Sequence, residues 1–413
     1  MTASSPNRAK LILTVLFLGT FVMGVTELLV PGVLNLVAAD LGVSLQSAGM
    51  LVTAQALGVA LGGPLLTALT VRLGKRTILA GSTAGFAAAN LVLVLSADYS
   101  LLIAARALGG AAGGLFIAAA FEIGTSIVPP ERAGRAISVV ISGTTVSAAL
   151  GVPLGTLAGQ ALGWRGAFVG IAVLSALTFA AILVLVPRVP SSGGGLGDQA
   201  RHAFAPRVLA VLVVIALAFA ALFAAVTYVA PYLEQVTGIP GTLISVFLLA
   251  YGVATAVGSF GGGRLADANA PRALILGTGG LAISLLLLYV VGTVAALVAV
   301  VLLALGVFGM GTAPVVQYRV VDLAGPGAQL AQALPASSAN LGIALGSAVG
   351  GAVAGSFSLS ATIITGFALA CVAAVLAWGT SFLKPPGTSG GAAPGGAGGR
   401  GGRGGARGLA GGP

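Results

Sequence analysis

The sequence predicts an all-α membrane protein of twelve transmembrane helices in two parallel-related six-helix bundles. Three observations predict it. Hydrophobic residues make up 57% of the 413 and charged residues 7%, with a mean hydropathy of +1.09, which leaves too little polar surface for a fold surrounded by water. The apolar residues come in runs of about 20 or more, enough to cross a bilayer. Of the 19 Lys and Arg residues, all but Arg106 and Arg165 fall at the same alternating ends of those runs. Positive loops are retained on the cytoplasmic side, so these clusters fix both the number of spans and their direction.

The first span, 11–38, follows Arg8 and Lys10. Its length of about 28 residues, with a long second span behind it, reads as a retained helix and not as a signal peptide. Asp40 marks the outer side, and span two, 46–70, returns to Arg72, Lys75 and Arg76. Span three, 76–97, ends at Asp98, and span four, 99–126, carries Arg106 and returns toward Arg132 and Arg135. Span five, 134–160, leads out to Arg165, the single external cation, and span six, 165–187, returns to Arg188. Pro187 to Pro206, rich in Pro, Gly and Ser, reads as a linker.

Span seven, 207–232, runs from Arg207 to Glu234, and span eight, 241–263, ends at Arg264 and Arg272. Span nine, 273–292, goes out again, and span ten, 295–318, ends at Arg319. Spans eleven, 328–355, and twelve, 359–383, complete the set before Lys384. An even count puts both termini on the cytoplasmic side of the cell membrane. The chain thus divides into a first bundle (1–187), a linker (188–206), a second bundle (207–383) and a tail (384–413). The tail is dominated by Gly with Arg400, Arg403 and Arg407. It cannot bury a core and is expected to be disordered.

Composition also narrows the function. A single cysteine, Cys371, excludes an internal disulfide, and a single histidine, His202, excludes the usual zinc constellations. No nucleophile set or charged pore ring stands out, so neither an enzyme nor a channel is expected, and no cofactor. The net charge of +10 sits in short loops and a tail without aromatics, which argues against nucleic acid as a partner. Anionic lipid is the simpler partner for the tail.

The halves are related. Val25-Thr26-Glu27 followed by Pro31 recurs as Val226-Thr227-Tyr228 followed by Pro231. Ala56-Leu57-Gly58-Val59-Ala60 matches Ala250-Tyr251-Gly252-Val253-Ala254, and Ala149-Leu150-Gly151 matches Ala344-Leu345-Gly346. An offset of six spans preserves direction, so the repeat is parallel, with its axis along the membrane normal and a site near the midplane between the halves.

These stretches resemble a known family. Gly24-Val25-Thr26-Glu27-Leu28, Asp40-Leu41-Gly42-Val43-Ser44, Val128-Pro129-Pro130-Glu131-Arg132, Gly151-Val152-Pro153-Leu154-Gly155, Gly163-Trp164-Arg165 and Asn340-Leu341-Gly342-Ile343-Ala344-Leu345-Gly346 are similar to motifs of the twelve-helix drug:proton antiporters of the major facilitator superfamily. The sugar-efflux and chloramphenicol-efflux transporters are the nearest in pattern. The resemblance covers essentially residues 11–383 and implies proton-coupled efflux of a small neutral or amphiphilic molecule, such as a drug or a sugar-like metabolite, by a monomer. An importer or facilitator on the same fold is the alternative.

The resemblance extends to gate and packing residues. Arg72, Gly74 and Arg76 lie in a stretch similar to the superfamily's cytoplasmic gate motif, with Val71 or Thr70 where an acidic residue is usual. The second half keeps one, Asp267, which is therefore the better latch candidate. Span five carries Gly143, Ser147, Gly151, Gly155 and Gly159 on one face, and span eleven carries Ser338, Gly342, Gly346, Gly350 and Ala354. Such stripes let helix backbones approach closely, either as static packing or as a sliding contact between halves. Pro153 breaks the hydrogen-bond ladder beside the first stripe.

Charges inside spans are kept only with a reason, because each costs several kcal/mol at membrane depth. Glu27, Arg106 and Glu122 are the candidates for proton coupling. Glu27 and Arg106 both sit roughly 10–15 Å below the outer surface at the helical rise per residue, so they can meet. Burial favours a neutral acid and a nearby guanidinium favours a carboxylate, so parting and rejoining the two changes proton affinity. Glu122 lies near the cytoplasmic end and reads equally as an interfacial residue. Midspan polar residues, Gln55, Asn90, Tyr228, Tyr251, Gln317 and Asn340, are the candidate substrate contacts, each also readable as an interhelical hydrogen-bonding residue.

Overall fold

The computed structural model describes residues 6–70, 72–129, 132–187, 202–325 and 331–385. The linker expected over 188–206 falls mostly outside the described residues, as do Val71 and the tail beyond Pro385. Among the described residues every regular element is helical.

The helices follow the hydropathy runs. In the first half they are α1 (Pro6–Leu41), α2 (Leu45–Thr70), α3 (Lys75–Leu95), α4 (Tyr99–Ser126), α5 (Ala133–Val146 continued by Ser147–Gly151 and Val152–Leu162) and α6 (Trp164–Leu185). The second half begins with α7, made of Pro206–Val226 and Val229–Gln235. Spans eight and nine form one run, Gly241–Val290, of 50 residues. At 1.5 Å per residue it measures about 75 Å, far more than a bilayer core of about 30 Å. The non-helical Asn269 (φ −162°, ψ 88°), two residues before Pro271, divides it into α8 (241–268) and α9 (270–290). Last come α10 (Ala295–Ala324), α11 (Leu334–Ser356) and α12 (Leu359–Thr380).

Two helices loosen their winding where proline forces it. The five-residue π-turns Gly58–Gly62 in α2 and Ser147–Gly151 in α5 each precede a proline, Pro64 and Pro153. A proline supplies no N–H to the ladder, and the wider turn absorbs the mismatch. In α5 the two segments meet at 46°.

The small-residue stripes pack inside each half. A Cβ added to Gly151 would meet Val25, one on Gly155 would meet Leu29 and one on Gly159 would meet Val33. In the second half Gly342, Gly346 and Gly350 lie against the backbone carbonyls of Ala216, Ala220 and Ala224. One turn earlier, the Ser338 hydroxyl donates to the Leu212 carbonyl over 2.6 Å, 126 residues away. The same separation holds for each of these glycine contacts in both halves, so α5 sits on α1 as α11 sits on α7. These stripe contacts lie within each half.

This register revises the repeat. Aligning Gly151 with Gly346 sets Val25 opposite Ala220 and Glu27 opposite Leu222, six residues from the match suggested by Val226-Thr227-Tyr228. The backbone agrees with the packing: Val33 (φ −125°, ψ 17°) and Tyr228 (φ −108°, ψ 16°), which correspond in this register, are both non-helical breaks.

Some basic residues assigned to loops lie within helices. Arg319 is on α10, 4% exposed. Its Nη2 donates to the carbonyls of Thr380 and Leu383 at 3.0 and 2.8 Å, so a cation caps the end of α12.

The close approaches predict a selective sensitivity. Gly346→Val should lower thermal stability in detergent, at an overpacking cost of about 1–3 kcal/mol, because a Cβ there would lie 2.2 Å from the Ala220 oxygen. Gly81→Ala, with open space around its Cβ, should leave the melting midpoint unchanged in the same assay.

Candidate functional site

The two halves meet on one face only. In α2, Leu45–Gly62 lies along α11, whereas Gly63–Thr70 packs on α4. In α5, the part from Ser147 to Leu162 lies along α8, whereas Ala133–Val146 packs on α1 and α4. Among the described residues, three hydrogen bonds cross between the halves. Asn35 Nδ2 donates to Glu234 over 2.5 Å, Gln160 Nε2 donates to the Gly241 carbonyl over 2.5 Å, and Thr53 and Ser347 share a hydroxyl contact of 2.7 Å. All belong to the side opposite the basic loops, so the space between the halves opens toward the basic side.

A cavity of about 140 Å³ lies in that space. The first half contributes Gly24, Glu27, Leu28 and Pro31 from α1 and Thr144, Thr145 and Ser147 from α5. Opposite them stand Phe219 and Phe223 of α7, Tyr251, Thr255 and Ser259 of α8, Met310 of α10 and Ile343 of α11. The wall is mostly apolar with few polar groups, the pattern of a small-molecule site.

Glu27 is the single charged residue in the wall. Its side chain is half-buried and makes no hydrogen bond or ion pair among the described residues. The expected partner, Arg106, lies at matching depth but turns away. Arg106 is 1% exposed inside the first bundle, its Nε donating to the Leu51 carbonyl (3.2 Å) and its Nη1 to the Thr26 carbonyl (3.0 Å), with Nη2 unpartnered. The two charges attract across more than ion-pair distance. Arg106 thus grips α1 at the residue before Glu27 and leaves the carboxylate itself free.

Glu122 is paired elsewhere. It accepts from Lys75 Nζ at 2.5 Å, joining α4 to the start of α3, with Lys75 almost fully buried and Glu122 44% exposed. That is an interfacial ion pair outside the cavity.

Among the six polar candidates, Tyr251 alone lines the cavity. Gln55 is buried between α2 and α4. Asn90 and Asn340 donate to carbonyls of their own helices, those of Phe86 at 2.8 Å and Ala336 at 3.1 Å. Tyr228 is buried at the break of α7 and donates to the Ser347 carbonyl over 2.8 Å. Gln317 bonds the Gln332 carbonyl at 2.8 Å near the basic face. The hydroxyls of Thr255 and Ser259 were legible only as a ladder with Tyr251 at four-residue spacing, and Phe219 and Phe223 as a stacked pair with centroids 6.2 Å apart.

The gate candidates sit apart on the open side. Arg72 is exposed, Gly74 is the extended residue that starts α3, and Arg76 donates to the Leu183 carbonyl of α6. Asp267 is exposed and takes part in none of the ion pairs among the described residues.

Arg106→Met should lower the thermal midpoint in detergent, by a free energy on the order of 2–3 kcal/mol, because two buried carbonyls lose a charged donor. Arg72→Met should leave it unchanged in the same measurement.

Comparison with known proteins places this geometry. The sequence profile of the Major Facilitator Superfamily matches residues 16–329 and 211–404. The chain is 34% identical to the uncharacterized MFS-type transporter YtbD of Bacillus subtilis (strain 168), over 93% of this chain and 98% of that protein. It is 35% identical to a chloramphenicol resistance protein of Streptomyces lividans over 61% of this chain and 66% of that one. Among solved structures, a bacterial homolog of the human lysosomal transporter Spinster, inward-facing and unoccupied, superposes with a TM-score of 0.79 at 15% identity, covering 92% of this chain and 98% of that one. With this profile match, a full-length bacterial relative and the two-bundle architecture in agreement, the chain belongs to the Major Facilitator Superfamily, the transporters of that fold.

Proposed function

We propose that this transporter exports a small neutral or amphiphilic molecule from the cytoplasm in exchange for protons. The observation that carries the reading is Glu27: an intramembrane carboxylate in the wall of the cavity between the halves, without an ion-pair partner among the described residues. A carboxylate kept at that depth is expected to serve a function. Facing the cavity, it can be occupied by a proton or help to hold a substrate, and competition between the two links their movements. Arg106 acts as a positioning residue, fixing α1 through the Thr26 carbonyl and supplying a positive field.

The rest of the wall supports the substrate class. Phe219, Phe223 and Met310 offer apolar and aromatic contact, while Tyr251, Thr255, Ser259, Thr144 and Thr145 offer hydroxyls. The Streptomyces lividans relative is a chloramphenicol resistance protein, which makes chloramphenicol the first compound to try. The basic loops support a reading in which the open side and both termini face the cytoplasm across a bacterial-type cell membrane.

In vesicles containing the purified protein, an imposed pH gradient should drive chloramphenicol movement against the proton flux. Glu27→Gln should reduce the gradient-driven component at least about tenfold, in line with loss of the coupling group. Movement indifferent to the gradient would leave a facilitator, and coupling intact in Glu27→Gln would remove Glu27 from the mechanism.

A further inference from the structure

The closed face contains a contact that crosses the halves and depends on a missing side chain. Tyr228 stands at the break of α7, wholly buried, with its hydroxyl proton held by the Ser347 carbonyl. Three glycines enclose it. A Cβ on Gly351 would lie 2.4 Å from the hydroxyl oxygen, and one on Gly350 would lie 3.0 Å from Cε2. A Cβ on Gly49 would lie 2.0 Å from the hydroxyl oxygen and 2.8 Å from Cζ. Separations that short are impossible, so an added methyl at Gly49 or Gly351 must displace the ring.

The three glycines differ in which body they belong to. Gly350 and Gly351 are on α11, in the same half as Tyr228; the nearest atoms to a Cβ on Gly350 belong to Ala224 and Tyr228 and move with it, whereas a Cβ on Gly351 would also lie 3.4 Å from Cγ of Gln46 in the opposite half. Gly49 is on α2, in the opposite half, and touches Tyr228 only while this face is shut. One turn along α2, Thr53 meets Ser347, the same residue that accepts from Tyr228. The ring, the glycine and the hydroxyl pair therefore engage together.

We propose that Tyr228 is a knob and Gly49 its socket, and that the pair sets the balance between the state closed on this face and the state open on it. The inference rests on relative movement of the two halves and not on the proton or the substrate. A Cβ at Gly49 penalises the closed state alone. A Cβ at Gly350, against Ala224 and Tyr228 of its own half, penalises both states alike.

The test measures distances between spin labels on Ala97→Cys and Thr293→Cys, exposed positions at the ends of the two halves on the closed side, in full-length protein with Cys371→Ser. Gly49→Ala should raise the ratio of long to short distances about tenfold, as an overpacking penalty confined to one state implies. Adding Tyr228→Leu should bring the distribution back toward that of the parent. Gly350→Ala should lower the thermal midpoint without that redistribution. A Gly49→Ala distribution equal to the parent's overturns the proposal, as does an equal redistribution in Gly350→Ala or no reversal by Tyr228→Leu. Failure of Gly49→Ala to fold also overturns it, since the socket would then be needed in both states.

Discussion

Close approach of helix backbones is the constraint on which this structure depends. Between helices in lipid there is no hydrophobic drive, so association relies on packing and on interhelical hydrogen bonds. Here α11 meets the backbone carbonyls of α7 through glycines at every fourth position, and the matching glycines of α5 admit the side chains of Val25, Leu29 and Val33 of α1. The hydroxyls of Thr20 and Ser338 add bonds to carbonyls of the neighbouring helix at 2.7 and 2.6 Å. Any larger side chain along these seams would separate the pair and move the cavity wall, since Gly24, Ser147 and their neighbours belong to both seam and wall.

The contacts between halves include one close approach of the same kind, Gly252 of α8 against the Ala148 carbonyl of α5. Beside it, among the described residues, three hydrogen bonds cross at one face, from Asn35, Gln160 and Thr53 of the first half. Bonds of this kind in membrane proteins contribute on the order of 1 kcal/mol each, because the separated groups find other partners. Arg165, bonded to Asp40 and to the Ser96 carbonyl, ties the outer ends of the first half together and helps it move as a unit.

Much of the fold was legible in the sequence, because hydropathy and basic loops act on whole segments. The runs located the helices, and the stripes on spans five and eleven marked two backbone seams. What the stripes did not disclose was their neighbour, since small residues fit any helix that comes near. The repeat shows a similar limit: Val25-Thr26 and Val226-Thr227 are alike in letters, yet packing pairs Val25 with Ala220. A short match in apolar helices carries little information beside a seam of carbonyl contacts. At the site, Glu27 was legible because charge in a span is rare. The direction of Gln55, Asn90 and Asn340 was not, because an amide in a helix is as well served by a buried carbonyl as by a cavity.

The placement of Arg106 bears most directly on what Glu27 can do. A guanidinium in direct contact would hold the carboxylate charged and make its protonation costly, while a carboxyl alone in an apolar wall would stay neutral. Arg106 does neither. It spends its donors on the Thr26 and Leu51 carbonyls and reaches Glu27 through its field. Pro31, one turn beyond, supplies no N–H to the Glu27 carbonyl, so α1 is loosened where the acid projects. Glu27 thus stands in the cavity wall on a stretch of α1 whose hydrogen-bond ladder is interrupted. In the second half the packing register puts Leu222 at the position of Glu27, and that half lines the cavity with the hydroxyls of Tyr251, Thr255 and Ser259 and with no charged residue.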